Sequence, residues 1–321
     1  MSAPSVMDWW GLLTVVAALA SFATVAGFLG RLGWVCELCS HFRTQYALVL
    51  IAATAAFSAG GRREEAMASG LFALAPVWSI LPLYRRPANA PRPARTLRVW
   101  LLNVNFRNRA YARTVQAIRQ ADADAILLME VDRAWMDALA PLRADYPHAR
   151  ALILDRGFGI ALLSRLPLDH AEIRTIGPAN LPSVIARFRW EHASVSLIGT
   201  HPLSPIRPRH ARLRDEQMRA LAHHISGLEG PVLLLGDFNM TSWSPVFTEV
   251  LQRTGLRDSR VGHGLQPSWP AFAASLGIPI DHCLVSRHVT VHRRRAGPSV
   301  GSDHLPVLIE VSVEPVAPGG R

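Results

Sequence analysis

The sequence contains no lysine. All 34 basic residues are arginines and stand against 24 Asp and Glu residues, so the formal net charge is +10 over 321 residues. Such arginine-rich and alanine-rich usage is typical of a GC-rich genome, and a surface for nucleic acid is the other explanation. Residues 1–96 hold eight arginines and four acids, so the excess is spread along the chain. A composition that is 50% apolar and 18% charged excludes a disordered, collagen-like or coiled-coil chain.

Cysteine is also scarce. Three cysteines are too few for the disulfide framework of a small secreted domain. Cys36 and Cys39 form a C-x-x-C motif with His41 nearby, which fits either a redox pair or half of a metal site. Cys283 stands in an apolar run, and we expect it in the core.

Charge is absent from residues 11–30, and Trp9, Trp10 and Trp34 flank this run. About 20 apolar residues at 1.5 Å each cross the hydrocarbon core of a bilayer, and Trp prefers the interface. A signal peptide is the alternative, but Asp8 is the only charged residue before the run, so the positive start of a signal peptide is missing. The run therefore predicts a membrane anchor.

Two further apolar runs, at 46–61 and 66–84, raise the expected number of spans to three. The proline-rich and arginine-rich segment 85–96 then predicts a linker, followed by a catalytic domain over 97–313 and a flexible tail over 314–321. Three spans place the two termini on opposite sides of the membrane. The arginines that flank the spans favour a cytoplasmic C-terminal part, although the side stays open.

Beyond residue 97, short β-rich runs alternate with amphipathic stretches. We expect strands at 97–102, 125–129, 159–163, 183–189, 194–199, 232–235, 280–285 and 305–313, and helices at 110–120, 209–226 and 245–253. Eight strands with few helices predict an α/β fold in which packed sheets are flanked by helices.

Polar side chains stand where the predicted strands begin or end, at the places where a rigid scaffold meets solvent. They are Asn103, Asn105, Glu130, His201, Asp237, Asn239, Asp281, His282, Asp303 and His304. Each alone has an ordinary structural explanation: a solvated loop residue, an Asx turn or a core histidine. Together they supply hard oxygen ligands for Mg²⁺ or Mn²⁺, amide donors and an imidazole beside a carboxylate, without a zinc-type ligand set.

The motifs Gly236-Asp237-Phe238-Asn239 and Gly301-Ser302-Asp303-His304 resemble those of the endonuclease/exonuclease/phosphatase superfamily. The resemblance covers 97–313 and implies a four-layered α/β sandwich of two mixed sheets. With its N-terminal apolar runs, the chain is further similar to bacterial membrane-anchored members such as the teicoplanin-resistance membrane phosphatases.

The resemblance implies a role for each of these residues. Glu130 would be the principal metal ligand, with Asn103 beside it and Asp303 completing the set. Asp237 would orient or deprotonate the attacking water, and Asn239 and His201 would donate to phosphoryl oxygens. His304, held by Asp281, would lie next to the scissile phosphate as a base or as a charged stabiliser. The residues expected to contact substrate are Asn105, His282, Arg293 and Arg294, although a structural role is the alternative for His282 and a solvated turn for the two arginines.

The expected function is a membrane-anchored, Mg²⁺-dependent or Mn²⁺-dependent phosphoester hydrolase. Its substrate would be a lipid-linked phosphate or pyrophosphate, because a linker of about ten residues at about 3 Å each reaches only some 30 Å from the bilayer. A metal-dependent nuclease acting on DNA or RNA is the alternative, for which the arginine excess would be the footprint. A non-catalytic membrane scaffold is a third hypothesis.

Overall fold

The structure is a computed structural model that describes residues 8–85, 94–155 and 157–314. These residues form two compact units. The first contains the residues up to Arg85 together with Trp243–Pro245, and the second contains the others. Most of the predicted linker and nearly all of the predicted tail lie outside the described residues, so these two domain boundaries stay predictions.

The first unit is helical, and each of the three predicted apolar runs lies in a helix. Its helices are α1 (Trp9–Phe28), α2 (Trp34–Ser40), α3 (Arg43–Ala59) and α4 (Arg63–Ile80), with short 3₁₀ turns at Gly30–Leu32 and Leu81–Tyr84. Small side chains let the helices approach, since Ala17, Ala53 and Ala66 pack around Phe57. By length and composition alone, Trp9–Phe28 and Arg63–Tyr84 could cross a membrane, whereas α3 does not meet that criterion.

The second unit is built on two six-stranded sheets. Sheet A has the order β11-β12-β1-β2-β4-β3 and sheet B the order β5-β6-β7-β8-β10-β9. The strands of sheet A are β1 (Leu97–Asn103), β2 (Ala125–Met129), β3 (His148–Leu152), β4 (Ile160–Ser164), β11 (Val289–Ala296) and β12 (Val307–Val313). Those of sheet B are β5 (Leu168–Thr175), β6 (Pro182–Trp190), β7 (Ala193–Thr200), β8 (Val232–Asp237), β9 (Arg257–Asp258) and β10 (Asp281–Val285).

Both sheets are mixed, because β1 pairs with β2 and β7 with β8 in parallel while the other pairs are antiparallel. A large apolar core, with Leu101, Leu127, Leu197 and Leu235 among its members, lies between the sheets. The helices cover the outer faces: α5 (Tyr111–Ala121) and α6 (Arg133–Ala138) on sheet A, and α7 (Pro208–Ser226) and α8 (Pro245–Thr254) on sheet B. The predicted α/β fold with two mixed, helix-flanked sheets is confirmed.

All eight predicted strands and the three predicted helices of this unit are present within a few residues of their expected limits. Four strands, β3, β5, β9 and β11, were not predicted, and these are the four edges of the two sheets. The short helix α6 was not predicted either.

Candidate active site

The side chains that face the space between the sheets change from apolar to polar at one end of the sandwich. Successive side chains of a strand point to opposite faces. Leu101 belongs to the central core, so Asn103, two residues further along β1, faces the same space. In sheet B the same alternation takes β8 from Leu235 to Asp237 and β10 from Cys283 back to Asp281. Asp281 and Asp237 are direct partners in the pairing of β10 with β8.

The backbone at these strand ends adopts conformations that few residues favour. Glu130, Asn105 and Asn239 have φ values of 62°, 55° and 51°, in the left-handed region. Gly236 has φ of 150°, and a Cβ atom there would lie 1.8 Å from the carbonyl oxygen of Thr200. Only glycine fits at this position, so β7 and β8 approach closely just before Asp237. Such local strain is typical of functional sites.

Carboxylates and amides form one half of the constellation. The Nδ2 atom of Asn103 donates to Glu130 Oε1 at 2.8 Å and to Asp237 Oδ2 at 3.2 Å. The backbone N–H of Asn105 donates to Asn103 Oδ1, and its side-chain Nδ2 donates to Asp303 Oδ1 at 2.8 Å. A continuous chain of hydrogen bonds therefore joins Glu130, Asn103, Asn105 and Asp303.

Two imidazoles and two carboxylates form the other half. His304 Nδ1 lies 2.8 Å from Asp281 Oδ2, and its Nε2 lies 3.6 Å from Asp237 Oδ2. His201 Nε2 lies 3.4 Å from the same Asp237 oxygen. Asn239 donates its backbone N–H to Asp237 Oδ1 and its side-chain Nδ2 to the Pro202 carbonyl. Asp237 is thus the point at which both halves meet.

Burial and charge act against each other on the pKa values of these groups. Burial would raise the pKa of Asp237, but the His304 and His201 imidazoles hold it down at about 2. Burial would lower the pKa of His304, but Asp281 and Asp237 raise it to about 10. The pKa of His201 is also raised, because its contact with Asp237 outweighs burial. Burial raises the pKa of Asp281 although His304 pulls it down. The protonation of Asp281 is therefore tied to that of His304.

The sequence model of the endonuclease/exonuclease/phosphatase family matches residues 101–304. This segment contains the whole constellation. The chain belongs to this family. Its members are phosphoester hydrolases that depend on a divalent metal. No curated protein matches the chain in sequence.

Several solved structures share the fold at low sequence identity. The endonuclease/exonuclease/phosphatase from Beutenbergia cavernae is 18% identical with a TM-score of 0.56, covering 68% of this chain and 72% of that one. The TDP2 protein of D. rerio complexed with single strand DNA product is 16% identical with a TM-score of 0.55, covering 68% and 99%. The human Nocturnin catalytic domain with bound sulfate anion is 18% identical with a TM-score of 0.54, covering 72% and 99%. At these identities the likeness shows the fold alone.

The donor set of this family member fits a hard divalent cation. Glu130 and Asp303 are partly exposed carboxylates, tied by amides on one side and without a thiolate nearby, and Mg²⁺ and Mn²⁺ prefer such oxygen ligands. Asp237, Asp281 and His304 also bring ligand atoms within 4.8 Å of one another. In both groups some members already bond each other, Asp281 with His304 and Asn103 with Glu130. The assignment of the metal to Glu130, Asn103 and Asp303 therefore stays a prediction, and a bound cation would neutralise negative charge on a phosphoryl group.

Three of the predicted substrate contacts are wrong. His282 is fully buried on the outer face of sheet B, where it packs on Phe238 and Phe247 and bonds the Met240 carbonyl through Nε2 at 2.8 Å. The reason is alternation, since Asp281 faces the site and its neighbour on the strand must face away.

The two arginines of β11 are the other wrong contacts. A bulge between Val291 and Arg293 shifts the register, so Arg294, not Arg293, faces the space between the sheets. Arg294 is buried and donates to the backbone carbonyl of Asp281 at 2.8 Å, where it supports the site from behind. Arg293 lies on the outer face of sheet A, with Nη1 3.8 Å from Glu310.

Several residues that hold the site in place had not been singled out. The Nε1 atom of Trp269 donates to Asp303 Oδ2 at 3.2 Å. Ser302 donates to the Asn103 carbonyl and accepts from the His304 backbone N–H, and Ser268 accepts from the Asp281 backbone N–H. Ser302 lies inside the Gly-Ser-Asp-His motif and could have been found there. Trp269 and Ser268 carry no signal in the sequence.

Proposed function

We propose that the chain is a membrane-anchored phosphoester hydrolase that uses Mg²⁺ or Mn²⁺ and acts on a lipid-linked phosphate or pyrophosphate at the bilayer surface. One observation carries the proposal: the buried cluster of Asp237, Asp281 and His304 stands in the same chain as two helices that are long and apolar enough to cross a membrane. Such an anchor favours a substrate that stays at the bilayer.

The contacts of the site support one role for each residue. Glu130, Asn103 and Asp303 would hold the metal. Asp237 contacts Asn103, His201, His304 and the Asn239 backbone, so its carboxylate is positioned to orient or deprotonate a water molecule. His201 and Asn239 flank it as donors to phosphoryl oxygens. His304 would lie beside the scissile phosphate, with its ring fixed by Asp281.

We also propose that the anchor is a multi-pass integral membrane segment of about three helices, in which α3 is the third span. The similarity to teicoplanin-resistance membrane phosphatases, which the motifs and the apolar runs suggest, belongs to the same proposal. In this arrangement the linker of about ten residues keeps the catalytic unit within about 30 Å of the bilayer.

The test is a substrate panel with the purified full chain in lipid vesicles. It contains isoprenoid pyrophosphates, phospholipids and a water-soluble phosphodiester, each with Mg²⁺, with Mn²⁺ and with chelator. We expect metal-dependent hydrolysis of a lipid-linked member, reduced at least about 10²-fold in Glu130→Gln. Glu229→Gln, an exposed carboxylate on the turn before β8, is the matched control. Hydrolysis of neither lipid class under either metal would contradict the substrate proposal.

A nuclease is the second candidate, because a structural relative, TDP2 of D. rerio, was solved with a single strand DNA product. Plasmid and single-stranded DNA at low salt therefore complete the panel. Nicking that disappears in Glu130→Gln would favour this candidate over the lipid substrate.

A further inference from the structure

The exposed apolar side chains of the second unit are unevenly distributed. Among its described residues, seven large apolar side chains are exposed. They are the three residues 152–154, Ile206, Val261, Phe272 and Leu276. The most exposed are Phe272 at 89% and Ile206 at 67%. Isolated exposed apolar residues are common on protein surfaces, so their position in the fold decides whether they have a meaning.

All seven lie at the end of the sandwich that carries the active site. Leu152 pairs with Ile160, which pairs with Met129 just before Glu130. Ile206 follows β7 and His201, and Val261 follows β9, which ends opposite Leu284 and runs antiparallel to β10, toward the end at which Asp281 lies.

Phe272 and Leu276 belong to the segment that leads into β10. This segment is attached to the site directly, because the Ala271 backbone N–H donates to the Asp303 carbonyl at 2.7 Å. We call the three segments that carry the seven side chains the rim: the described residues of 152–159 (152–155 and 157–159), residues 201–207 and residues 259–280.

The opposite end of the sandwich has a different surface. Its turns expose Asp122, Asp145, Glu191 and Glu229. None of the exposed large apolar side chains found in the described part of this unit lies there. The asymmetry therefore concerns the two ends of one unit, and it points to a partner at the active-site end.

Basic residues accompany the apolar ones at that end. Arg107 and Arg109 follow β1, and Arg207 closes the loop after β7; all three are exposed. Among the described residues of these loops, Asp155 is the only exposed acidic residue. Arginines interspersed with apolar side chains match an interface of anionic headgroups over hydrocarbon.

We propose that the rim docks on the lipid bilayer and inserts its apolar side chains among the lipids around the active-site mouth. A fluid partner is favoured because the side chains stand on three separate segments and arginines lie among them, which suits a bilayer surface that adapts to their spacing. This inference rests on the proposed function, since a lipid-linked substrate presents its phosphate at the depth that such docking reaches. Docking would bring the site to the substrate without extraction of the lipid from the bilayer.

Site-directed labelling tests the docking without any catalysis. Phe272→Cys is labelled with an environment-sensitive fluorophore in the full chain, with Cys36 and Cys39 replaced by serine; Cys283 is buried. The matched control is His192→Cys on the exposed turn between β6 and β7, at the opposite end. In vesicles with anionic lipid, we expect spin-labelled lipids to quench the label at 272 at least about twofold more than the label at 192.

Equal quenching at the two positions would overturn the docking. Quenching at 272 that requires added lipid-linked substrate would also overturn it, because that result would indicate a site for the substrate tail.

A second arm compares hydrolysis of a vesicle-embedded lipid phosphate with that of a water-soluble phosphodiester. In Ile206→Ser/Phe272→Ser we expect the ratio of the two rates to fall about tenfold. An unchanged ratio contradicts the docking. Absence of both activities in the wild type contradicts the proposed function and leaves the quenching result to decide the docking.

Discussion

Asp281 fixes the position of the His304 imidazole. Its Oδ2 atom lies 2.8 Å from His304 Nδ1, its backbone N–H donates to Ser268, and its carbonyl accepts from Arg294. His304 thus contacts the carboxylate, while Ser268 and Arg294 hold the backbone of the same residue. A hydrogen bond that involves an ionised group is about twice as strong as a neutral one, so both the shape and the charge of this side chain matter.

Asp281→Asn separates the two contributions, because the amide keeps the shape and removes the charge. We expect kcat for a phosphoester substrate to fall about 10²-fold to 10³-fold, with a smaller change in KM. Steady-state kinetics of the wild type, Asp281→Asn and the control Asp145→Asn, an exposed carboxylate at the other end, measure this. A kcat within threefold of wild type would remove Asp281 from the catalytic unit.

His282, the neighbour of Asp281, affects stability and not chemistry. Burial lowers its pKa to about 3, with Arg260 and Arg294 adding to the effect and Asp258 opposing it. The unfolded chain binds a proton on this histidine below about pH 6.5, whereas the folded chain does not, so stability falls as the pH falls below 6.5. The expected loss is about 2 kcal/mol between pH 6.5 and pH 5.

The measurement is the pH dependence of the melting temperature in detergent, compared between wild type and His282→Phe. Phenylalanine keeps the ring that packs on Phe238 and Phe247 and removes the titrating group. The variant should lose less stability than the wild type when the pH is lowered from 7 to 5. Parallel pH curves for the two proteins would show that His282 does not titrate as expected.

The site residues could be predicted from the sequence where a polar residue directly follows a buried apolar strand, as Glu130 and Asp237 do. The prediction failed where it needed the exact face of a strand. The sequence leaves His282 open between a phosphate donor and a structural role, and alternation along β10 turns it away from the site. The direction in which the arginines of β11 point depends on a bulge that no residue type in the sequence indicates. The contact of Trp269 with Asp303 joins positions 34 residues apart.

At the scale of elements, burial decides what the sequence reveals. The eight predicted strands lie within the sheets and include apolar runs such as that of β2, which is buried throughout. The missed strands β3, β5, β9 and β11 form the sheet edges, where β3 and β5 have mostly exposed or half-buried side chains. Edge strands commonly carry charged and polar residues that prevent further pairing, which hides the strand pattern.

The close approach of β7 and β8 is an element-level feature that can be tested at Gly236. Gly236→Ala would place a methyl group against the Thr200 carbonyl in a backbone conformation that favours glycine. We expect a loss of about 3 kcal/mol or more in unfolding free energy and a displaced Asp237. Gly255→Ala is the control, because φ there is 68° but no atom lies within 4 Å of the added methyl group.

The control should lose only about 1 kcal/mol, from backbone conformation alone. Urea unfolding of the full chain in detergent measures both variants. Equal losses for the two would show that the strands can separate at Gly236 without cost, and the positioning of Asp237 by this contact would then be wrong.

At the scale of the whole molecule, the +10 net charge coexists with a concentration of acids at the active site. Glu130, Asp237, Asp281 and Asp303 converge at one end of the sandwich, and a cation that binds only the folded state stabilises it. At a metal concentration of about 100 times Kd, the gain is about 2.7 kcal/mol. We therefore expect Mg²⁺ or Mn²⁺ to raise the melting temperature by about 5–10 °C over that in chelator.

Near-UV circular dichroism of the full chain during heating measures this shift without any substrate. Glu130→Gln should melt at nearly the same temperature with and without metal, whereas Glu229→Gln should behave as the wild type. A full metal-dependent shift in Glu130→Gln would place the cation elsewhere, for example at Asp237 and its neighbours.

The number of spans decides which side of the membrane the catalytic unit occupies. Helix α3 has 17 residues and is about 25 Å long, slightly less than a hydrocarbon core of about 30 Å, and it carries no charge after Arg43. If α1, α3 and α4 all cross, Gly33 and the C-terminus lie on one side and Gly61 on the other. If only α1 and α4 cross, Gly33 and Gly61 share a side and the C-terminus lies opposite.

Alkaline phosphatase, which is active outside the cytoplasm, is fused after Gly33, after Gly61 and at the C-terminus. Because arginines flank the spans on the side of Gly33 and Arg85, the positive-inside rule predicts activity only for the Gly61 fusion. Activity at the C-terminus but at neither Gly33 nor Gly61 would establish two spans, whereas activity at both Gly33 and the C-terminus but not at Gly61 would indicate three spans in the reverse orientation; either result would place the catalytic unit outside the cytoplasm.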